Sequence, residues 1–242
     1  MKRYCLYLFI LIGISCSAEL KAQKNGTIYK GNDPAVRYTG RTLVSPDGSV
    51  AFDWVGTYLE TRFTGGKLSV KVSETGTSYY NVFVDGKLHK VVKVCGTDTL
   101  IHLVSGIDKR IHSLKIQKRS EGEFGKTTVH QFVLSGSGRL AEEPAVRTRH
   151  IEFIGNSLTC GYGTDGKHRD EPFLVETENC NLTFASMVAR YYDADYTLIA
   201  HSGRGAARNY GDSVRVSKVT MKDRMLNTSP INGILRNIVR IW

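Results

Sequence analysis

The chain changes its hydrophobic rhythm once, near residue 140, and that change excludes a fold of a single secondary-structure class. From Val36 to about Ser135, apolar and polar residues alternate in short runs broken by turn signals. Leu59, Thr61 and Phe63 fall on one strand face, and Leu68, Val70 and Val72 on another. Val82 and Val84 lead into Asp85-Gly86, with Leu88 and Val92 beyond. Asp-Gly between alternating runs predicts a hairpin, because both central residues of a type I′ turn need positive φ. Further strands are expected over 98–104, 110–118 and 127–134. Such a series without a helical period predicts an antiparallel sandwich. Ser135-Gly136-Ser137-Gly138 and Glu142-Glu143-Pro144 read as a boundary. The expected division is an all-β domain over 23–140 and a second domain over 145–242.

The second part follows another pattern. His150-Ile151-Glu152-Phe153-Ile154 predicts a strand running into Gly155-Asn156-Ser157. Over 181–192, Ala185, Val188, Ala189 and Tyr192 form one helical stripe behind Asn181 as N-cap. Tyr196 to Ala200 suits a buried parallel strand. Strand, loop, helix and strand make a βαβ unit, so this part is expected to be α/β.

At the amino end, Lys2 and Arg3 precede an apolar stretch from Leu6 to Cys16, and Leu20-Lys21-Ala22 resembles a cleavage site. This is the pattern of a signal peptide over 1–22, too short to span a bilayer. It predicts an exported protein, periplasmic or extracellular. A lipoprotein anchored through Cys16 is the second possibility, with Gly13 standing where a large aliphatic residue is usual. No later apolar run reaches the roughly 20 residues of a transmembrane segment. With 41% hydrophobic and 23% charged residues, 5 Pro and 24 Gly, the 242-residue chain is neither collagen-like nor disordered by composition.

The formal charge of +10 falls to +8 without residues 1–22. Residues 215–242 hold six basic side chains against Asp223, which leaves +3 for the body. A lopsided end is not a basic face, and no nucleic acid partner is expected. Cys95, Cys160 and Cys180 form no zinc-type cluster, and neither metal nor cofactor is expected. A Cys160–Cys180 bridge is possible after export, with separately buried thiols favoured.

Two segments carry possible chemistry. Ser157 follows the first α/β strand on a tight turn, where Gly155 is expected to let the backbone bend. Ser202-Gly203-Arg204-Gly205 ends the next strand. A right-handed crossover sets these loops side by side at the sheet edge where ligands gather. Gly203 can then offer an N–H toward Ser157. Arg204 is a candidate for binding a carboxylate or sugar hydroxyls, or equally a solvated side chain. A serine capping a turn is the plain structural alternative for Ser157.

The run from Ile151 to Gly163, Ile-Glu-Phe-Ile-Gly-Asn-Ser-Leu-Thr-Cys-Gly-Tyr-Gly, closely resembles the first block of carbohydrate esterase family 2. Ser202-Gly203-Arg204-Gly205 with Arg208-Asn209-Tyr210-Gly211 resembles the second. The family consists of SGNH-type deacetylases with an N-terminal jelly-roll domain. The resemblance implies a jelly-roll sandwich followed by a flavodoxin-like, three-layer α/β domain. It further implies an acetyl xylan esterase type of activity with Ser157 as nucleophile. The Ser157 and Gly203 N–H groups would form the oxyanion hole, and an acetylated polysaccharide or oligosaccharide would be the partner.

Two departures stand out. Asn156 replaces the family's Asp, and the later Gly-x-Asn-Asp and Asp-x-x-His blocks are absent, so the general-base histidine is not found. The chain ends 85 residues after Ser157, and the expectation is a C-terminally truncated domain of weak or no activity. His201 and His168 are the substitute bases to consider. His89, His102, His112 and His130 are expected on the sandwich surface. A non-catalytic carbohydrate-binding protein is the alternative, with Trp54, Tyr58, Tyr79 and Tyr80 as possible stacking residues, although strand aromatics usually fill a core.

Overall fold

The structure, a computed structural model, describes residues 26–142, 144–227 and 229. The expected signal peptide, Cys16, Glu143 and the segment 230–242 lie outside the described residues. No helix among the described residues is long and apolar enough to cross a membrane.

Among the described residues, twelve strands form two antiparallel sheets. They are β1 (Thr27–Lys30), β2 (Val36–Thr39), β3 (Leu43–Val44), β4 (Val50–Phe52), β5 (Tyr58–Thr64) and β6 (Lys67–Glu74). There follow β7 (Thr77–Val84), β8 (Lys87–Cys95), β9 (Thr99–Ser105), β10 (His112–Lys118), β11 (Thr127–Leu134) and β12 (Arg139–Leu140). One sheet runs β3-β4-β11-β6-β9, with β1 also on β11. The other runs β12-β5-β10-β7-β8, with β2 also on β5. The predicted alternation supplies the core between them, where Phe63, Leu68, Val82, Phe132 and Leu134 are fully buried. Leu68 faces Leu134 and Val70 faces Phe132 across one ladder, so period-two patterning becomes cross-strand packing. The Asp85-Gly86 turn has φ of 50° and 76°, the positive pair that a type I′ turn requires.

Several expectations change. Ser135–Gly138 is not a linker. It is a tight turn, with Gly138 N–H on Ser135 O at 3.2 Å, that carries the chain from β11 to β12 in the opposite sheet. His112 is not at the surface. It is 1% exposed, with Nδ1 2.7 Å from Asp85 and Nε2 2.9 Å from Asp108. Burial lowers its pKa, but the two carboxylates outweigh that and raise it. Stability from this cluster is therefore complete below the ordinary imidazole value and is lost as pH rises through the raised folded one. His112→Gln should cost about 2 kcal/mol in denaturant unfolding at pH 6 and distinctly less at pH 9. An equal cost at both would exclude a charged His112.

Beyond the sandwich come β13 (His150–Gly155), α1 (Ser157–Cys160), α2 (Phe184–Tyr191), β14 (Asp195–Ala200) and α3 (Met221–Arg224). β13 and β14 pair in parallel from His150↔Asp195 to Gly155↔Ala200. The helix begins later than the sequence suggests. Asn181 lies in a 3₁₀ turn, Cys180–Leu182, and Thr183 is the N-cap. Ala185 and Ala189 face the core as expected, whereas Val188 is 37% and Tyr192 50% exposed. The alanines bring α2 close to its neighbours and turn the larger side chains outward.

This α/β part does not close a core by itself. Cys160, Cys180, Ala185, Ala189, Tyr196, Leu198 and Ala200 pack with Val55 and Tyr58 of the sandwich. Gly56 is needed at this contact, because a Cβ there would stand 2.6 Å from Leu198 Cδ1. Polar residues facing out of the β5-β10-β7 sheet are consequently buried, with Asn81 Nδ2 on Asn179 Oδ1 at 3.0 Å and Gln117 bonded to Tyr196. Trp54, Tyr58 and Tyr80 are 0%, 1% and 3% exposed, which removes them as sugar-stacking candidates. Tyr79 is half-buried, and its hydroxyl donates to Glu176. On the far side Ile154, Phe184, Met187 and Tyr191 remain exposed.

Candidate active site

Gly155 ends β13 with no positive φ, so it does not serve as a bend. It is required because a Cβ there would meet Thr159 Oγ1 at 2.1 Å. Thr159 belongs to α1, and the absent side chain lets that single turn fold back against the strand end. Asn156 is the N-cap, accepting Leu158 N–H on Oδ1 at 3.1 Å. The cap needs an acceptor rather than a charge, so an amide serves where the resembling family has a carboxylate. Gly161, at φ 85°, closes the turn, and its N–H donates to Ser157 O at 2.9 Å. A Cβ there would stand 2.5 Å from the Asn179 backbone. Ser157 is thus fixed from both ends, and its side chain is half-buried.

The second loop leaves the end of β14 beside it, with His201 N–H on Gly155 O at 3.3 Å. His201 to Arg204 form a turn closed by Arg204 N–H on His201 O at 3.2 Å. Gly203 sits in it at φ 72°, a conformation that a side chain disfavours. No hydrogen bond among the described residues uses the N–H of Ser157 or of Gly203. The two loops line one open cleft of about 1180 Å³. Asn156 and Ser157 come from the first, Gly203, Arg204 and Arg208 from the second, and Tyr162 and Tyr210 complete the walls.

Beneath the cleft lies a buried polar layer to which both parts contribute. Glu121, 2% exposed, accepts Ser202 N–H on Oε2 at 2.8 Å. Cys160 Sγ is 3.6 Å from the same oxygen. Glu121 N–H donates to Glu178 Oε2 at 2.8 Å. Burial, with Glu121 beside it, pushes the Glu178 carboxyl up to about 9, so it is protonated at neutral pH. Burial likewise pushes the Cys160 thiol well up and Cys180 up to about 12; both are free, inert thiols.

His201 is 3% exposed. Its Nε2 lies 2.9 Å from Glu123, and its Nδ1 lies 3.2 Å from an Arg224 guanidinium nitrogen. Both ring nitrogens are engaged, and burial lowers the pKa. His168 is exposed in the neighbouring cleft. No hydrogen bond joins either imidazole to Ser157 among the described residues. Glu121 and Glu123 with His201, and Glu121 and Glu178 with Cys160, bring ligand atoms within 4.8 Å of one another. Internal hydrogen bonds engage Glu121, Cys160, His201 and the Oε2 atom of Glu178, and the Arg224 cation stands at the first trio.

Residues 38–144 match the family model described as Carbohydrate esterase 2 N-terminal. The cellulase/esterase CelE of Acetivibrio thermocellus is 32% identical over 203 residues, 84% of this chain and 24% of that protein. An acetylxylan esterase / glucomannan deacetylase of Cellvibrio japonicus is 31% identical over 195 residues, 78% of this chain and 53% of that one. The structure of a family two carbohydrate esterase from Clostridium thermocellum in complex with cellohexaose superposes with a TM-score of 0.77 at 32% identity. That match covers 83% of this chain and 60% of the other. Residues 38–144 thus form a Carbohydrate esterase 2 N-terminal domain, and the chain as a whole is similar to family two carbohydrate esterases. It spans 24% and 53% of the lengths of the two curated relatives.

Sequence reasoning singled out Ser157, Gly203 and Arg204, and the fold brings all three to one cleft. It did not single out Tyr162, which stacks on Phe173 with ring centroids 3.6 Å apart and planes at 11°. The available signal was an aromatic between two glycines, Gly161 and Gly163. Glu121, Glu123 and Glu178 were missed as well, and no local pattern marks them. Glu121 and Glu123 lie 36 and 34 residues before Ser157 and reach the site only through the docking of the two parts, whereas Glu178 lies 21 residues after it within the α/β part.

Proposed function

We propose that this chain carries the nucleophile-bearing part of an exported serine esterase that removes O-acetyl groups from plant cell-wall polysaccharide. Ser157 attacks the acetyl carbonyl, and the Ser157 and Gly203 N–H groups receive the oxyanion. The observation that supports this reading is the pair of unused N–H groups at adjacent strand ends around a half-buried serine hydroxyl. Fixed donors aimed where charge develops are the largest single contribution to acyl transfer. The α/β part would then be a portion of the SGNH-type, flavodoxin-like layer arrangement.

Serine also needs a base to accept its proton. With His201 committed to Glu123, the described residues supply none at Ser157, so the turnover of this chain should be slow. Removal of a base typically lowers acyl-transfer rates by about 10⁴-fold or more, leaving a small residue from the oxyanion hole. The test is acetate release from acetylated xylan and from an aryl acetate, with Ser157→Ala alongside. A slow release abolished in the variant is expected; equal rates in the two would dismiss Ser157.

A non-catalytic glycan-binding role is the second reading. The exposed Tyr162 face at the cleft, backed by Phe173, favours it, since aromatic faces of this kind stack on sugar rings. Binding of xylo- or manno-oligosaccharides without acetate release, lost in Tyr162→Ala, would select it.

A further inference from the structure

The arginines at the junction of the two parts all hold carboxylates. Arg37 bonds to Glu60 and Asp195, Arg119 to Asp165, and Arg147 to Asp193 and Asp195. Arg204 and Arg208 differ. Both line the Ser157 cleft, one half-buried and one exposed, and among the described residues neither guanidinium makes a hydrogen bond or has a carboxylate within 4.0 Å. Among the described residues, no Asp or Glu lines the cleft. Two delocalised cations, each presenting a planar fork of donors, therefore stand unneutralised within the same cavity as the serine.

A neutral sugar would use such forks only as hydroxyl donors, a task that asparagine, serine or tyrosine performs without concentrating positive charge. A carboxylate matches the fork in shape and in charge. We propose that the cleft takes an acidic glycan, with Arg204 and Arg208 gripping the carboxylate of a uronic acid residue beside the sugar presented to Ser157. This deepens the esterase reading, on which the placement of the acetylated sugar rests. It assigns the substrate class as an O-acetylated polysaccharide bearing uronate branches, and it makes the two arginines its specificity determinants.

The experiment is a calorimetric titration of the full chain with two xylo-oligosaccharides of equal backbone length, one unbranched and one carrying a glucuronic acid branch. At low ionic strength the acidic oligosaccharide should bind about tenfold tighter, the equivalent of one good charge-assisted pair. High salt should remove most of that advantage. In Arg204→Gln/Arg208→Gln the two affinities should converge, with the thermal midpoint unchanged because neither side chain has an internal partner to lose. Arg204→Lys/Arg208→Lys, which keeps charge but not the fork, should fall between. Equal binding of both oligosaccharides, no binding of either, or a preference that survives in the glutamine variant would each overturn the proposal. Acetate release separates it from the esterase reading. Uronate preference without any release retains the acidic-glycan site and removes the esterase; release without preference does the reverse.

Discussion

Asp195→Ala should destabilise the chain by about 3–5 kcal/mol in denaturant unfolding, the usual cost of removing one partner from a buried charge cluster. Asp195 opens β14 and is 4% exposed. Its carboxylate accepts from Arg37 at 2.7 Å, from the Tyr58 hydroxyl at 2.7 Å and from Arg147 at 2.8 Å. Arg37 and Tyr58 come from the sandwich, so the residue pins the α/β part to the outer sheet face. Its loss leaves two guanidinium groups sharing Glu60. Burial alone would push the Asp195 pKa up, but the hydrogen bonds from Tyr58, Arg37 and Arg147 win and hold it down at about 2. The sign follows. A depressed folded value gives stability that is present above the ordinary value of 3.8 and is lost as pH falls to about 2. That loss amounts to about 2 kcal/mol in the wild type and should be missing in Asp195→Asn. Identical acid unfolding of the two proteins would remove the cluster as the clamp.

Glu178→Gln should have the opposite sign and stabilise the protein at alkaline pH. The folded Glu178 keeps its proton to about pH 9, whereas the unfolded side chain releases it near 4.5. Across that interval the native state binds one more proton, so wild-type stability declines by up to about 1.4 kcal/mol per pH unit. Glutamine has no proton to lose, and its carbonyl oxygen can still accept Glu121 N–H. The expected gain at about pH 8 is on the order of 3 kcal/mol, shrinking toward zero near pH 5. Flat wild-type stability from pH 5 to 9 would rule out a protonated Glu178. The same experiment bears on the cleft, because Glu121, the neighbour of Glu178, holds Ser202 directly before Gly203. Ionisation of Glu178 would loosen that loop.

The extent to which the chain announces itself differs from element to element. Alternation from Leu59 to Val92 and the Asp85-Gly86 turn were readable because strand periodicity and turn chemistry act over a few residues. The Ser157 and Gly203 loops were readable because each is a compact block whose glycines answer local demands. The Val188 and Tyr192 stripe misled, since helical spacing identifies an apolar face without saying whether anything covers it. His112 misled as well. Its partners Asp85 and Asp108 are brought together by a sheet register that no neighbouring residues record.

By itself, then, the amino-acid order determined the sandwich, the βαβ unit and the two loops at its edge, all of which follow from contacts between near neighbours. Only the tertiary structure decided that the α/β part borrows Val55 and Tyr58 for its core and that sandwich carboxylates support the site. It also decided that His201 hydrogen-bonds to Glu123 rather than Ser157. The physical reason is range. Burial, carboxylate pairing and proton affinity depend on which distant segments displace water from a given side chain, and packing sets that after the local pattern has done its part.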